Sequence, residues 1–169
     1  MAKIKERFAN IGLVTTTMSA ANTLTFGTIQ MAAGMFQGIA MIIHRVLWWP
    51  YTATVREIVA ATDSLQMAIT NSNRITTIAD ATDPAIVAMK RIVAVAANVA
   101  SVELPLVSDF TALPGGGKIT AANPLYLAVS SGGFAAAGIV AAQLEFSSTE
   151  LSDADYLEVL QAQFPANVV

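Results

Sequence analysis

Polar and apolar residues alternate along several short stretches of the chain, and this two-residue period predicts β-strands. In Ser64–Thr70, for example, Leu65, Met67 and Ile69 alternate with Gln66 and a small alanine. About seven or eight such stretches, separated by turn signals, predict an all-β protein built as a two-sheet β-sandwich or a closed barrel. The predicted strands are Thr23–Ile29, Ile39–Trp49, Ser64–Thr70, Ile86–Val99, Val102–Leu106, Pro124–Ser130 and Phe134–Ser147.

The longest predicted strand, Ile39–Trp49, is apolar on both faces. Strict alternation would place Ile43 and Trp49 on one face and Trp48 on the other. A strand with two apolar faces is either buried on both sides or in contact with another subunit. Pro50 cannot continue a sheet ladder, so we expect the strand to end there.

Trp48, Trp49 and Tyr51 form the main concentration of aromatic residues in the chain. Adjacent residues of a strand face opposite ways, so one indole should enter the core and the other should point outward. Rings of this kind serve a core, a contact between subunits or a platform that binds sugars. We favour the core or a contact between subunits, which makes these three residues candidate interface aromatics.

One helix is predicted near the C-terminus. Ser152 is a typical N-cap residue, and Asp155 lies three residues later, as in a capping box. The apolar face of this helix would carry Tyr156, Leu157 and Leu160. The predicted organisation is therefore an N-terminal segment over residues 1–19, a β-sandwich over 20–150, and a C-terminal helix and tail over 151–169.

The N-terminal segment combines apolar residues at helical spacing with basic residues around them. Ile4, Phe8 and Ile11 would share one side of a helix, so the segment is predicted to be a short amphipathic helix or an extended arm. An arm could contact a neighbouring subunit, a genome or a membrane. The basic residues of the segment are Lys3, Lys5 and Arg7.

Charge is scarce throughout the chain, and no ionisable side chain occurs from Phe8 to Ile43. Apolar residues make up 54% and charged residues 12% of the sequence, against roughly 45–50% and about 25% in an ordinary globular domain. The net charge of −3 argues against a nucleic-acid binder that relies on a large basic surface. So uncharged a surface indicates a protein that is covered by other copies of itself.

Motifs for catalysis are weak. Lys118 follows three glycines, but Ala112 occupies the first glycine position of a phosphate-binding loop and Ile119 replaces its Ser or Thr. The carboxylates around Glu150 and Asp153 are explained by capping and solvation of the predicted helix. The sequence therefore predicts a protein that is not an enzyme and that has no cofactor.

Metal binding has little support either. His44 is the only histidine and there is no cysteine, which excludes metal centres rich in these residues. His44 is instead predicted to be a hydrogen-bonded structural residue. Asp80 and Asp83 could bind calcium between subunits, but two carboxylates are few for an ion that takes six to eight oxygen ligands. No metal site is predicted.

Three stretches of the chain resemble single jelly-roll virion proteins of viruses and phages. Ile39–Tyr51 is similar to a long early strand that ends in an aromatic–proline corner. Asp63–Pro84 is similar to the next strand and turn, and Pro124–Gln161 to the last two strands and a C-terminal helix. The resemblance implies an antiparallel two-sheet jelly-roll sandwich of about eight strands.

The same resemblance implies a function as a structural capsid subunit located in the virion. The partners would be many copies of the chain and other capsid proteins, with the N-terminal arm making weak contact with the genome or an internal membrane. The candidate genome or inner-surface contacts of that arm would be Lys3, Lys5 and Arg7. Two alternatives stay open. The first is a carbohydrate-binding β-sandwich that uses Trp48 or Trp49, and the second is a small membrane-associated protein that uses the uncharged segments 27–43 and 125–142.

Overall fold

The computed structural model describes residues 6–29, 39–78, 82–94, 105–121 and 124–163. Within these residues the chain is mainly β, with nine strands and two short helices, as the alternating pattern predicts. The strands are β1 (Glu6–Thr17), β2 (Thr25–Ile29), β3 (Ile39–Pro50), β4 (Ser64–Thr70), β5 (Ile86–Val93), β6 (Leu106–Asp109), β7 (Lys118–Thr120), β8 (Leu125–Gly132) and β9 (Ile139–Glu150); the helices are α1 (Thr52–Arg56) and α2 (Asp153–Gln163).

The strands form two antiparallel sheets. The first, called here the β1 sheet, has the order β1-β9-β3-β6, and β7 pairs with β3 on the same side as β6. The second, called the β2 sheet, has the order β2-β8-β4-β5. All pairings are antiparallel, which confirms a two-sheet sandwich.

The connectivity is that of a jelly roll. Strand β1 pairs with β9, β2 with β8, β3 with β6 and β7, and β4 with β5. These pairs would form if the chain were folded in half as one long hairpin. Rolling that hairpin up places alternate pairs in opposite sheets, joined by the β3–β9 and β4–β8 contacts. This rolled hairpin is the double Greek key of the jelly-roll fold.

The main core lies between the two sheets. Strands β4, β8 and β9 contribute alternate side chains to it, as the two-residue period of a strand requires. Trp48 and Leu144 from the β1 sheet meet Met67 and Leu127 from the β2 sheet, and all four are fully buried. Most of the other side chains in this core are aliphatic, in keeping with the high Val, Ile and Leu content of the chain.

A β-bulge at His44 interrupts the alternation of β3. Ile43 lies opposite Phe146 and Arg45 lies opposite Glu145, so His44 is an extra residue on its strand. Before the bulge Ile43 belongs to the core, and after it Trp48 does. The predicted shared face for Ile43 and Trp49 is therefore wrong, because one inserted residue reverses every later position.

The N-terminal residues correct a second prediction. Residues 6–17 form neither a helix nor a free arm, because they pair along most of β9 as strand β1. Buried Val14 and Thr16 alternate with exposed Leu13 and Thr15, which is a strand period. The spacing of Phe8 and Ile11 fits a helix, but so few residues do not distinguish the period of a helix from that of a strand. Residues 1–5 lie outside the described part.

Other boundaries differ by a few residues. Strand β8 runs through Ser130 and Ser131 to Gly132, and the turn starts at Gly133, whose φ of +82° suits glycine. Phe134, predicted to begin the last strand, belongs instead to the loop before β9. The extended segment predicted from Ile86 is confirmed as far as Val93, and residues 95–99 fall outside the described part.

Candidate assembly surface

The outer faces of the two sheets differ in how the chain covers them. On the β2 sheet, Ala68 and Ala128 are fully buried although they point away from the main core. Ile75 and Ile78, from the connection between β4 and β5, pack with them in a second small cluster. The chain therefore covers the part of the β2 sheet's outer side around Ala68 and Ala128.

The outer face of the β1 sheet carries exposed apolar residues. Strand pairing aligns Leu13, Gln143, Leu47 and Val107 in one row across β1, β9, β3 and β6. Leu13 is 70% exposed and Val107 is 42% exposed. Several large exposed side chains on one face of a sheet are unusual on a protein that stays single in water.

The neighbouring row extends this apolar surface along β3. It contains Thr15, Ala141 and Trp49, paired in that order across β1, β9 and β3. The Trp49 side chain is 39% exposed. We call the surface formed by Ile11, Leu13, Leu47, Trp49 and Val107 the β1-sheet face.

Charges border the β1-sheet face on one side only. In the row of Ile11, Arg45 lies between Glu145 and Asp109, and Arg45 Nε is 3.0 Å from a Glu145 carboxylate oxygen. The pKa of Asp109 is lowered chiefly because Thr111 Oγ1 donates a hydrogen bond to it, then because the Thr111 backbone N–H does so. These charges are satisfied within the chain and exposed, so they add little to stability.

The candidate interface aromatics differ in burial, because adjacent residues of a strand face opposite ways. Trp48 is fully buried, and its Nε1 donates to Ser108 Oγ at 3.0 Å. Trp49 and Tyr51 are 39% and 47% exposed. The prediction that one indole enters the core and the other points outward is confirmed, and only Trp49 and Tyr51 can meet another molecule.

Of the candidate genome contacts, only Arg7 lies within the described residues. Lys3 and Lys5 lie outside the described residues. The backbone of Arg7 lies within β1 opposite Ser148, so this residue is part of the sheet rather than of a free arm.

His44 has the structural role that the sequence predicted. Its Nδ1 lies 2.8 Å from the carbonyl oxygen of Gly116, and its Nε2 lies 2.8 Å from Ser147 Oγ. A carbonyl oxygen only accepts, so Nδ1 carries the proton and Nε2 accepts from the serine hydroxyl. The ring therefore ties the β3 bulge to β9 and to the glycine-rich turn before β7.

The lysine that follows the three glycines also forms hydrogen bonds within the chain. Lys118 Nζ donates to the carbonyl oxygens of Ile86 and Val87, at 3.2 and 2.8 Å. Burial lowers the pKa of this lysine. It lines a cavity of about 330 Å³ between the start of β5 and α2, together with Asp83 and Val159. Its contacts are those of a structural lysine.

The carboxylates near the C-terminus behave as caps. The Ser152 hydroxyl donates to an Asp155 carboxylate oxygen at 2.7 Å and accepts from the Asp155 backbone N–H at 3.2 Å. The predicted N-cap of α2 is thus confirmed. Among the residues that the structure describes, no group of three or more His, Cys, Asp or Glu side chains could hold a metal ion.

Comparison with protein-family models, with curated proteins and with solved structures finds no match to this chain. None of the helices in the described ranges is long and apolar enough to cross a membrane. The function is therefore inferred from the geometry of the chain itself. The features that stand out are the β1-sheet face and the edge strand β1, which among the described strands pairs only with β9.

The sequence pointed to Trp49 and Tyr51 but missed Ile11, Leu13 and Val107. A strand reading of residues 6–17 would have placed Ile11 and Leu13 on one face. It would not have shown which face is exposed. The other face carries the apolar Val14 and the polar Thr16, and such a pair fits either the core or the solvent.

Proposed function

We propose that the chain is a structural subunit that assembles with copies of itself into the capsid shell of a virion. The observation that carries this proposal is the difference between the two sheet faces. The chain covers the part of the β2 sheet around Ala68 and Ala128 with Ile75 and Ile78, whereas the β1-sheet face leaves Ile11, Leu13, Trp49 and Val107 exposed. A second molecule would cover that face.

The composition supports the same proposal. Burying exposed aliphatic and aromatic side chains against another copy is favourable, at ~25 cal/mol per Å² of apolar surface. The few charges on this sheet lie along one border, so a contact over Leu13, Leu47 and Trp49 desolvates little charge. A jelly-roll sandwich with such a face suits a subunit that has many like neighbours.

The wider capsid assignment rests on the likeness between this fold and single jelly-roll virion proteins. Under it the chain is located in the virion and is not an enzyme, and its partners are copies of itself and other capsid proteins. Since β1 takes up residues 6–17, a genome- or membrane-contacting arm would be confined to the residues before it. Such an arm would carry Lys3 and Lys5.

Trp49→Glu tests the proposal. The purified chain should form large particles, visible by electron microscopy and light scattering. The variant should shift the mass toward single subunits, because a carboxylate would have to be desolvated in the contact. Leu157→Glu is the matched control, since Leu157 is 56% exposed on α2, outside the β1-sheet face. It should leave the particles intact.

A monomer at all micromolar concentrations would overturn the proposal. The exposed ring of Trp49 beside Tyr51 then favours the alternative of a carbohydrate-binding module. That alternative is recognised by a shift of tryptophan fluorescence on titration with sugars, since only Trp49 of the two tryptophans is exposed.

A further inference from the structure

The two sheets have edges that are protected to different degrees. Natural proteins protect strand edges with charges, bulges or short strands. Strand β5 carries Lys90 and Arg91, β2 has five residues, and the edge formed by β6 and β7 is divided into two short pieces. Strand β1 has twelve residues and no charge from Phe8 to Thr17.

Strand β1 is also the terminal strand of its sheet among the described strands, since it pairs only with β9. Its residues Ile11 and Leu13 are each 70% exposed, more than any other large apolar side chain in the described part. A long, uncharged and apolar edge is the kind of edge to which another strand adds.

The charge pattern of β1 favours a second copy as that strand. In a contact about a two-fold axis, the same segment of both copies meets, so any charge within it lies near an identical charge. The segment from Phe8 to Thr17 has none to repel. By contrast, β5 would bring Lys90 and Arg91 close to their own copies.

We propose that β1 pairs antiparallel with β1 of a second copy, about a two-fold axis at Gly12. Ile11 then lies opposite the second copy's Leu13, and Leu13 opposite the second copy's Ile11. An axis at Leu13 would instead set Ile11 against a threonine. The pairing joins two β1 sheets into one continuous sheet, and the rows of the β1-sheet face continue across both copies.

The irregularity between Arg7 and Ala9 limits the length of this pairing. It extends from residue 9 to residue 15, about 24 Å at ~3.4 Å per residue. An edge of this length and ~10 Å depth covers only a few hundred Å², below the ~800 Å² per partner of a stable interface. The inference therefore rests on the proposed function, in which other contacts of the shell hold the two edges together.

Disulfide trapping tests the register directly, because the chain has no cysteine of its own. Full-length Ile11→Cys and Leu13→Cys chains are mixed under assembly conditions and oxidised. Opposed Cα atoms lie about 4.5–5.5 Å apart, which a disulfide spans. Two Ile11 residues would be offset by two positions, roughly 8 Å apart and beyond disulfide reach.

The mixed sample should therefore form several-fold more disulfide dimer than either variant alone. The control is Leu13→Cys mixed with Val107→Cys, since Val107 is exposed on the opposite edge of the same sheet. No more dimer in the mixture than in this control would overturn the inference. Capture of a foreign strand by β1 would also give that result.

Electron microscopy of the same samples separates this inference from the proposed function. Particles without the Ile11–Leu13 disulfide would refute the pairing and leave the capsid role. Disulfide dimers without particles would support the pairing and refute the shell. The absence of both would refute both, and the presence of both is the expected result.

A charge substitution gives an independent readout. Leu13→Lys puts a charge on strand β1 roughly 8 Å from the same charge of the second copy across the two-fold axis, and should reduce particle formation many-fold. Leu157→Lys, at a similarly exposed site on α2, should not. Unchanged thermal unfolding of both variants shows that they fold, and unchanged particles with Leu13→Lys would contradict the pairing.

Discussion

A single histidine determines which side chains of β3 face the core. The bulge at His44 moves Trp48 into the core and Trp49 out of it, and the imidazole holds the bulge through Gly116 and Ser147. Both ring nitrogens are used, so no other side chain reproduces the pair of contacts. The outward position of Trp49 depends on this arrangement.

His44→Ala should destabilise the fold by about 1–3 kcal/mol, because the buried Ser147 hydroxyl and the Gly116 carbonyl lose their partner. His44→Asn keeps a donor near the position of Nδ1 and should lose less. Urea unfolding followed by tryptophan fluorescence measures both. Equal losses for the two variants would show that the ring acts through its volume and not through its hydrogen bonds.

At the scale of elements, the helix α1 is tied to the start of β9 by one hydroxyl. Thr54 Oγ1 donates to the Ile139 carbonyl at 2.8 Å and accepts from the Ile139 N–H at 2.7 Å. Thr54 is 1% exposed. This contact holds α1 against the first residue of β9, at the position where the pairing of β9 with β1 and β3 begins.

Thr54→Val has nearly the same shape but leaves the Ile139 N–H without that acceptor. We expect a loss of about 1–3 kcal/mol in the free energy of unfolding, measured by urea denaturation. Thr54→Ser keeps the hydroxyl and should lose clearly less. A Thr54→Val variant as stable as the parent chain would show that the helix contributes packing only.

Elements with local signals could be predicted from the sequence. Strand β4 has the predicted bounds because its alternation is strict, and α2 begins where its serine cap predicts. Strand β1 could not be predicted because its partner β9 lies more than a hundred residues away. The bulge at His44 likewise depends on Gly116 and Ser147, which are distant in sequence.

The candidate surface was predictable only in part, for the same reason. Adjacency alone showed that one of Trp48 and Trp49 points outward. The row that joins Leu13, Leu47 and Val107 exists only through the register of four strands. No local pattern contains that register.

At the scale of the whole molecule, the sandwich has one face that is partly covered by its own chain and one face with exposed apolar side chains. Contacts made by the apolar face should resist salt, because screening weakens attraction between charges but not the burial of apolar surface. Raising the salt from ~0.1 M to ~1 M should leave the particles intact by light scattering. Dissociation at high salt would show that ion pairs hold the assembly.

Under the proposed function, the chain that covers part of the β2 sheet favours one direction of growth. A slab with two adhesive sides would stack without end into columns, as happens when a contact does not close on itself. Ile75 and Ile78 cover part of one of those sides and so disfavour a third molecule in the stack. Growth would then proceed mainly sideways, and an object that extends in two dimensions but not in the third is a thin wall.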